Sequence, residues 1–273
     1  MNRMNNSFEQ QHYERPDLWD EEVWRHSRLD KQRALIAVRH LPVDVRSILD
    51  AGSGNGIFEQ NSENHHWTVA LDRSLEALRH IDAPRCQSDV KNTPFPDNSF
   101  DAVLSMEVIE HLPDENFKPT LFEFARLARR YILITVPYCE DLKQSQVRCP
   151  QCLYQFHRYY HQRSFDEIKL VSLFAPLTNI TCVSVMGICE VNTVKFTSLW
   201  KIISHIIRQD RRNFPKNATC PRCGYRGHQP QDETIVPHTP SAYSKIKNLV
   251  KSNWPVHTTY EWWLAFYEKR ETE

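Results

Sequence analysis

Glycine is scarce in this chain, which has only six glycines among 273 residues. Three of the six, Gly52, Gly54 and Gly56, lie within five residues, directly after the apolar pair Ile48 and Leu49. Glycine reaches positive φ angles at little cost and lets a ligand approach the main chain without meeting a Cβ atom. The pattern therefore predicts a ligand-binding turn at the carboxyl end of a first β-strand.

Long apolar runs are absent as well. No run approaches the ~18 apolar residues of a membrane-spanning helix, so we expect no transmembrane segment. Residues 1–10 lack the apolar centre of a signal peptide, and we expect a cytoplasmic protein. The net charge is zero, which argues against nonspecific nucleic-acid binding.

Two common phosphate-binding motifs are also missing. A dinucleotide-binding turn has the spacing G-x-G-x-x-G, but Ile57 occupies the place of its third glycine. A Gly-Lys-Ser/Thr loop does not occur at this turn. The spacing is instead G-x-G-x-G with Asp50 directly ahead, which favours a nucleoside without pyrophosphate, held in part by carboxylates.

Two further acids end later predicted strands. Asp72 closes the run Trp67–Asp72, where a carboxylate can accept hydrogen bonds from both hydroxyls of a ribose. Asp89 ends a short third strand and can accept a hydrogen bond from the exocyclic amine of a base. With Asp50, these acids predict a nucleoside site along one edge of a sheet.

The predicted strand Phe100-Asp-Ala-Val-Leu-Ser follows the glycine turn and the acids Asp72 and Asp89 in chain order. Residues 45–137 resemble the cofactor half of class I S-adenosylmethionine-dependent methyltransferases of the type 11 kind. The resemblance implies S-adenosyl-L-methionine as the cofactor and a Rossmann-like α/β fold, with a seven-stranded sheet whose last strand is antiparallel. It implies that the glycine turn meets the methionine portion of the cofactor and that Asp72 holds the ribose. The expected cofactor-binding residues are Asp50, Gly52, Ser53, Gly54, Gly56, Asp72, Asp89, Val90 and Met106, with Asp89 and Val90 at the adenine and Met106 at the methionine end.

Helical and strand patterns alternate along the chain. We predict a helix over residues 19–40 and a helix from Phe165 that is N-capped by Ser164. Strands are predicted near residues 47–50, 67–72, 84–88, 100–106, 130–136, 179–189 and 262–269. The predicted domains are a flexible tail at 1–18, a cofactor-binding core at 19–137, a first lid insertion at 138–163, a core helix and strand at 164–189, a second, basic lid insertion at 190–258 and the last core strand at 259–273.

Four of the eight cysteines form two Cys-Pro-x-Cys pairs, Cys149/Cys152 and Cys220/Cys223. Without an export signal, this spacing favours a metal over disulfides. Four thiolates leave no open coordination position, so we predict one structural Zn²⁺. Because each pair lies in a different predicted insertion, that ion would clasp both lid insertions above the active site. Two unrelated pairs or a redox motif remain the alternatives.

A second metal-binding pattern follows the fourth strand, in Glu107-Val-Ile-Glu-His. On a helical turn, Glu107, Glu110 and His111 would share one face and could bind Mg²⁺, Mn²⁺ or Zn²⁺. The stretch is similar to the metal-binding segment of ubiquinone-pathway O-methyltransferases and of small-RNA 3′-terminal 2′-O-methyltransferases. In the RNA enzymes a later histidine joins the site, and His157 or His161 would correspond to it. The alternative is a structural segment without metal, in which His111 packs near the cofactor.

Methyl transfer to an alcohol also needs a group that removes a proton. The candidate bases are His111, His157 and His161, because the unperturbed pKa of histidine is near neutrality. His157 and His161 could instead orient the zinc-binding segment or hold the lid by hydrogen bonds.

The basic charge is concentrated late in the chain. Residues 190–255 carry 11 basic and 4 acidic side chains, and residues 196–212 form an amphipathic pattern. This segment could pack on the domain as a lid helix. It could otherwise meet an anionic membrane surface or a phosphorylated substrate, such as a lipid-linked or nucleotide-linked sugar. RNA is less favoured, because no dense patch interleaves Lys and Arg with stacking aromatics.

The sequence therefore predicts a methyltransferase that acts on an oxygen of a small-molecule or glycan/lipid-linked metabolite. One alternative is a metal-assisted 2′-O-methyltransferase acting on RNA ends. The other is a non-catalytic, zinc-containing binding protein on a methyltransferase fold.

Overall fold

The computed structural model describes residues 6–19, 27–62, 66–177, 179–194, 214–215, 217–226 and 256–270. The chain divides into two compact units. The first unit comprises Met1–Leu142, Tyr160–Cys189 and Tyr260–Glu273, and the second comprises Lys143–Tyr159 and Glu190–Thr259. The domain boundaries set out above remain predictions.

One seven-stranded sheet organises the first unit. Its strands are β1 (Ser47–Ala51), β2 (Trp67–Asp72), β3 (Arg85–Gln87), β4 (Phe100–Met106), β5 (Ala128–Pro137), β8 (Ile180–Val194) and β9 (Val256–Lys269). The strand order is β3-β2-β1-β4-β5-β9-β8. Strands β1 to β5 pair in parallel with their neighbours, and β9 runs antiparallel to β5. The predicted seven-stranded α/β sheet with an antiparallel last strand is confirmed.

Helices cover the sheet because its central strands are apolar on both faces. The helices are α1 (Asn6–Tyr13), α2 (Arg28–His40), α3 (Ile57–Asn61), α4 (Leu75–Leu78), α5 (Asp114–Leu127) and α6 (Glu167–Val171), with a 3-10 turn at Pro16–Leu18. On one face Ile48 and Leu104 belong to the same buried cluster as Ala37 of α2. On the other face Val103 belongs to a cluster with Phe124 of α5. Both faces are thus occupied, which leaves the carboxyl ends of the strands as the place for a site.

Two predicted helix starts differ from the structure. The described part of the first predicted helix begins at Arg28, after Ser27, whose hydroxyl accepts from the Asp30 amide at 3.3 Å. Helix α6 is N-capped by Asp166, which accepts from the Lys169 amide at 2.8 Å, so the prediction of Ser164 as its cap is wrong. Both residue types can cap a helix, and here the carboxylate is the one within reach of the third amide.

Residues 1–18 were predicted to form a flexible tail, and the part of it that the structure describes contains regular secondary structure; its flexibility remains a prediction. Residues 6–13 form α1 and residues 16–18 form a 3-10 turn. His12 and Arg15 of this segment are 6% and 5% exposed. Aromatic and polar contacts hold the segment against other parts of the first unit. The partner residues, Tyr160 and Ser74, are remote in sequence.

The second unit contains a short antiparallel pair, β6 (Gln146–Arg148) and β7 (Gln155–His157). A second antiparallel bridge joins Thr219 to Arg226. Phe214 contacts a ring from each stretch, with centroid distances of 5.9 Å to Phe156 and 5.2 Å to Tyr225. The amphipathic pattern over residues 196–212 lies outside the described residues.

No helix in the described ranges is long and apolar enough to cross a membrane.

Candidate active site and four-cysteine cluster

The glycine turn follows β1 as predicted. Gly52, Gly54 and Gly56 all have left-handed φ angles, of 86°, 57° and 82°. The amides of Gly52 and Ser53 both donate to the Leu71 carbonyl, at 2.7 and 3.0 Å. The turn is therefore fastened to the end of β2, and its backbone lies at the carboxyl edge of the sheet.

Packing also requires glycine at two of these positions. A Cβ atom on Gly52 would lie 2.2 Å from Cγ2 of Val108, and one on Gly56 would lie 2.8 Å from Cγ1 of Ile81. Such distances are far inside van der Waals contact. Positions 52 and 56 thus require glycine for two reasons, the backbone conformation and the close approach of Val108 and Ile81.

Asp72 lies where the sequence places it, at the end of β2. Its carboxylate accepts from the Gly54 amide at 2.9 Å and from the Ser74 amide at 2.8 Å. Burial raises the pKa of Asp72, and these two amide hydrogen bonds partly offset the rise. The acid therefore connects the glycine turn to the end of the neighbouring strand.

Asp50 is 1% exposed, and neither of its carboxyl oxygens has a hydrogen-bond partner among the described residues. Both carboxyl oxygens of Glu59, in α3, are also buried from solvent and have no hydrogen-bond partner among the described residues. Burial raises the pKa of Glu59 to about 7, and burial followed by the charges of Glu59 and Asp72 raises the pKa of Asp50. Buried carboxyl groups without partners are costly, so this corner of the site favours a cationic ligand group.

The remaining predicted cofactor residues are more varied in their surroundings. Asp89 is half-exposed, accepts from the Lys91 amide at 3.1 Å and pairs with the Lys91 ammonium at 3.4 Å. Val90 is 9% exposed, and Met106 is the partly buried last residue of β4. Ser53 is 9% exposed and lies within the glycine turn. Their contacts with a cofactor remain predictions.

A cluster of Glu110, His111 and His161 lies after β4. One potential ligand atom from each residue lies within 4.8 Å of the others, and the two imidazole rings are 4.6 Å apart at a steep angle. Glu110 is 0% exposed. His161 Nδ1 donates to Glu140 at 2.5 Å, so the cluster extends to the residues after β5.

The segment after β5 builds this cluster by hydrogen bonding. The Gln162 amide donates to the Glu110 carbonyl at 2.8 Å, and its side chain donates to the His111 carbonyl at 2.9 Å. Arg163 donates to the Ile109 carbonyl at 2.9 Å. Residues 109–112 and 161–163 are thereby held side by side, which sequence spacing could not reveal.

Glu107 does not belong to the cluster, because the predicted helical turn does not form. Residues 107–112 form a bend and a turn, and Glu107 has a left-handed φ of 61°. Its carboxylate lies 3.6 Å from the Arg33 guanidinium. Burial raises the pKa of Glu107 to about 7, and Arg33 lowers it in part. Burial, followed by the charge of Glu107, raises the pKa of Glu110. The structure thus groups Glu110 and His111 with His161 rather than with Glu107, and metal binding by any of these residues remains a prediction.

His157, the third predicted base, belongs to the second unit. It is 8% exposed at the end of β7, and its Nδ1 accepts from the Tyr159 amide at 3.3 Å.

The four predicted cysteines form a second cluster, entirely within the second unit. The Sγ atoms of Cys149 and Cys223 are 3.6 Å apart, as are those of Cys152 and Cys220. Four thiolates placed tetrahedrally around Zn²⁺, at about 2.3 Å from the ion, would be about 3.8 Å apart. The sulfur spacing fits such an ion.

Two equivalent turns carry these cysteines. Cys149 donates its amide to the Tyr154 carbonyl and Cys220 donates its amide to the Tyr225 carbonyl, both at 2.8 Å. The Leu153 amide donates to the Cys149 carbonyl at 3.0 Å, and the Gly224 amide donates to the Cys220 carbonyl at 2.9 Å. Leu153 and Gly224 both have left-handed φ angles. The sequence repeat is therefore longer than the paired cysteines, since it reads Cys-Pro-x-Cys-x-Tyr in both places.

Similarity to a known protein family lies in the stretch that contains the glycine turn and Asp72. Residues 49–131 match the protein family described as "Methyltransferase domain". A demethylmenaquinone methyltransferase of Corynebacterium urealyticum is 38% identical over 86 residues, which is 30% of this chain and 36% of that protein. An uncharacterised protein of Methanocaldococcus jannaschii is 32% identical over 84 residues, again 30% of this chain and 36% of that one.

Solved structures share the fold at low identity. A SAM-dependent methyltransferase from Archaeoglobus fulgidus has a TM-score of 0.52 and 17% identity, covering 91% of this chain and 97% of that one. A SAM-dependent methyltransferase from Thermotoga maritima has a TM-score of 0.52 and 15% identity, covering 95% and 99%.

The match to the methyltransferase family lies in residues 49–131, which include the glycine turn and strands β2 to β4. The matched stretch spans about a third of the length of the curated relatives.

Proposed function

We propose that this protein transfers a methyl group from S-adenosylmethionine to an oxygen atom of a small or glycan/lipid-linked metabolite. The observation that carries the methyl-transfer part is the hydrogen bond of 2.9 Å from Gly54 to Asp72. It joins the glycine turn to a carboxylate at the ends of two adjacent parallel strands, where α/β sheets bind nucleosides.

The predicted cofactor contacts are consistent with this arrangement. The backbone of Gly52, Gly54 and Gly56, with Ser53, would meet the methionine portion and Met106 would border it. Asp50 suits the ammonium group of the cofactor, because its buried carboxyl has no hydrogen-bond partner among the described residues. Asp72 would accept from the ribose hydroxyls, and Asp89 and Val90 would meet the adenine.

Asp72→Ala tests the cofactor site. We expect the affinity for S-adenosylhomocysteine to fall by more than about tenfold, or about 1.4 kcal/mol, because both ribose hydrogen bonds are lost. Isothermal titration calorimetry measures the change.

Asp44→Ala is the matched control, since Asp44 is an exposed acid ahead of β1 that pairs with Arg130. Equal affinities of Asp72→Ala and Asp44→Ala would contradict the ribose assignment. A well-folded wild-type chain that binds no S-adenosylhomocysteine would favour the non-catalytic, zinc-containing binding protein.

An oxygen acceptor is supported by the pair of His161 and Glu140. In methyl transfer the acceptor oxygen attacks the methyl carbon, the carbon–sulfur bond breaks, and the sulfonium becomes a neutral thioether. An acceptor hydroxyl must also give up its proton. His161 can take that proton while Glu140, 2.5 Å away, stabilises the resulting imidazolium. His111 is the neighbouring alternative, and His157 remains a prediction from the sequence.

A second candidate function is metal-assisted methylation of vicinal hydroxyls, as at an RNA end. The cluster of Glu110, His111 and His161 favours it, because one carboxylate and two imidazoles suit Mn²⁺ or Zn²⁺, and Mg²⁺ less well. A divalent ion there would lower the pKa of a bound hydroxyl and orient it.

Glu110→Gln tests this metal site. After dialysis against Mn²⁺, the wild-type protein is expected to hold one exchangeable ion more than Glu110→Gln, because the variant lacks the anionic ligand. Elemental analysis by mass spectrometry counts the ions, and a chelator should remove the extra ion together with the activity. Glu115→Gln, at an exposed position in the first turn of α5, is the matched control. Equal manganese content in all three proteins would rule out the metal site.

The four cysteines are proposed to hold a structural Zn²⁺ that does not take part in methyl transfer. Their sulfur spacing and the two matched turns support this assignment.

A further inference from the structure

The N-terminal cap, defined as residues 6–19, is a feature of the first unit that the proposed function leaves unused. It contacts three places that follow the carboxyl ends of β1, β2 and β4. These strands are neighbours in the sheet.

Helix α1 fixes one end of the cap. Phe8 and His12 both pack against Tyr160, with ring centroids 5.6 and 4.7 Å apart. Tyr160 is 5% exposed and directly precedes His161. The helix is therefore anchored beside the histidine cluster.

The middle of the cap is bound to the end of β2. Ser74 donates its hydroxyl to the Tyr13 carbonyl at 2.8 Å. The amides of Leu75 and Glu76 donate to the Glu14 carboxylate at 2.9 and 3.2 Å. Amides in the first turn of a helix have no partner within the helix, and here the Glu14 carboxylate accepts from two of them. A negatively charged acceptor is more favourable at this place than a neutral one. The contact lies only two to four residues beyond Asp72.

Two aromatic side chains of the cap, Trp19 and Tyr13, lie near the glycine turn and near His111. A Cβ atom on Gly54 would lie 3.2 Å from the Trp19 ring, whose nitrogen donates to the Tyr13 carbonyl at 2.7 Å. The Tyr13 ring lies 5.4 Å from the Arg73 guanidinium, and its hydroxyl lies 3.4 Å from His111 Nδ1. The cap thus extends from the glycine turn to the histidine cluster.

We propose that residues 6–19 close over bound S-adenosylmethionine, with Trp19 and Tyr13 forming an aromatic wall of the cofactor site. This inference rests on the proposed function. The cofactor carries a sulfonium and an ammonium group, and aromatic ring faces attract such cations. A closed aromatic wall also excludes water, which strengthens the interactions of the buried carboxyl groups with the ligand.

Trp19→Ala is the central test. We expect its affinity for S-adenosylmethionine, which carries the sulfonium, to fall at least about tenfold by calorimetry, because part of the wall is lost. Trp67→Ala is the matched control, since Trp67 is an exposed tryptophan at the first residue of β2, on the opposite edge of the sheet. Its affinity should stay within about twofold of that of the wild type.

Amide hydrogen exchange of the wild-type protein provides an independent measurement that needs no variant. Exchange within residues 6–19 should slow when S-adenosylhomocysteine is added, because the ligand stabilises the closed segment. Unchanged exchange in a chain that binds the ligand would overturn the cap proposal alone. The cap proposal alone would also be overturned if Trp19→Ala bound S-adenosylmethionine as tightly as the wild type, or more tightly. If the wild-type chain binds no S-adenosylhomocysteine, the cap proposal and the proposed function both fall.

Discussion

Cys220→Ser is expected to release the metal ion from the second unit, lowering the zinc content from about one ion per chain to nearly none. Zinc binding by zinc-finger peptides has an apparent free energy of about 10–16 kcal/mol, which supports folding, and a serine hydroxyl is a far weaker ligand than a thiolate. Cys220 is fully buried, so water cannot readily replace its sulfur. Elemental analysis of protein purified without added zinc measures the loss.

Cys139→Ser is the control for this experiment. Cys139 is exposed and lies in the first unit, outside the four-cysteine cluster. Its substitution should leave the zinc content unchanged. One zinc ion retained in Cys220→Ser, or none in the wild type, would contradict the assignment of a structural zinc site.

The cysteine cluster shows how much a short spacing can predict. Each Cys-Pro-x-Cys pair brings two thiolates to one turn, so the sequence alone identified all four residues. The cysteine spacing does not predict the equivalent roles of Tyr154 and Tyr225, which lie five residues after Cys149 and Cys220. Both tyrosines accept through their backbone carbonyls, and such hydrogen bonds leave few constraints on side-chain identity.

The sheet could also be predicted, because its strands are apolar runs bounded by acids and turns. Strand ends shifted by a few residues at most in β1 to β5. By contrast, the helix and the 3-10 turn of the N-terminal cap could not be predicted from the sequence. Its partners Ser74, His111 and Tyr160 are remote in sequence, and its pattern of mixed polar and aromatic residues has no strong period.

The candidate site was predictable where one strand end supplied the residue, and less so where two segments meet. Asp50 and Asp72 follow from single strands. The cluster of Glu110, His111 and His161 depends on Gln162 and Arg163 bonding to the turn after β4. Glu107 was assigned by helical spacing, but a left-handed residue at this position turns its carboxylate toward Arg33.

Gly52→Ala is expected to destabilise the first unit by about 2–5 kcal/mol. The left-handed φ of 86° costs an alanine about 1–2 kcal/mol, and the overlap with Val108 adds about 1–3 kcal/mol. Valine is branched at Cβ, so its Cγ2 atom cannot rotate away freely. Denaturant unfolding measures the loss of stability, and calorimetry should show an accompanying loss of S-adenosylhomocysteine binding as the turn shifts.

The double variant Gly52→Ala/Val108→Ala separates these two causes. Truncating Val108 removes the atom at 2.2 Å, so the double variant should be more stable than the sum of the single variants predicts, by about 1 kcal/mol or more. The cost of the left-handed φ should remain, since it belongs to the backbone of residue 52 alone. Stability effects that add within about 0.5 kcal/mol would mean that the contact with Val108 does not constrain the turn. The glycine would then be required by its backbone conformation and by the ligand alone.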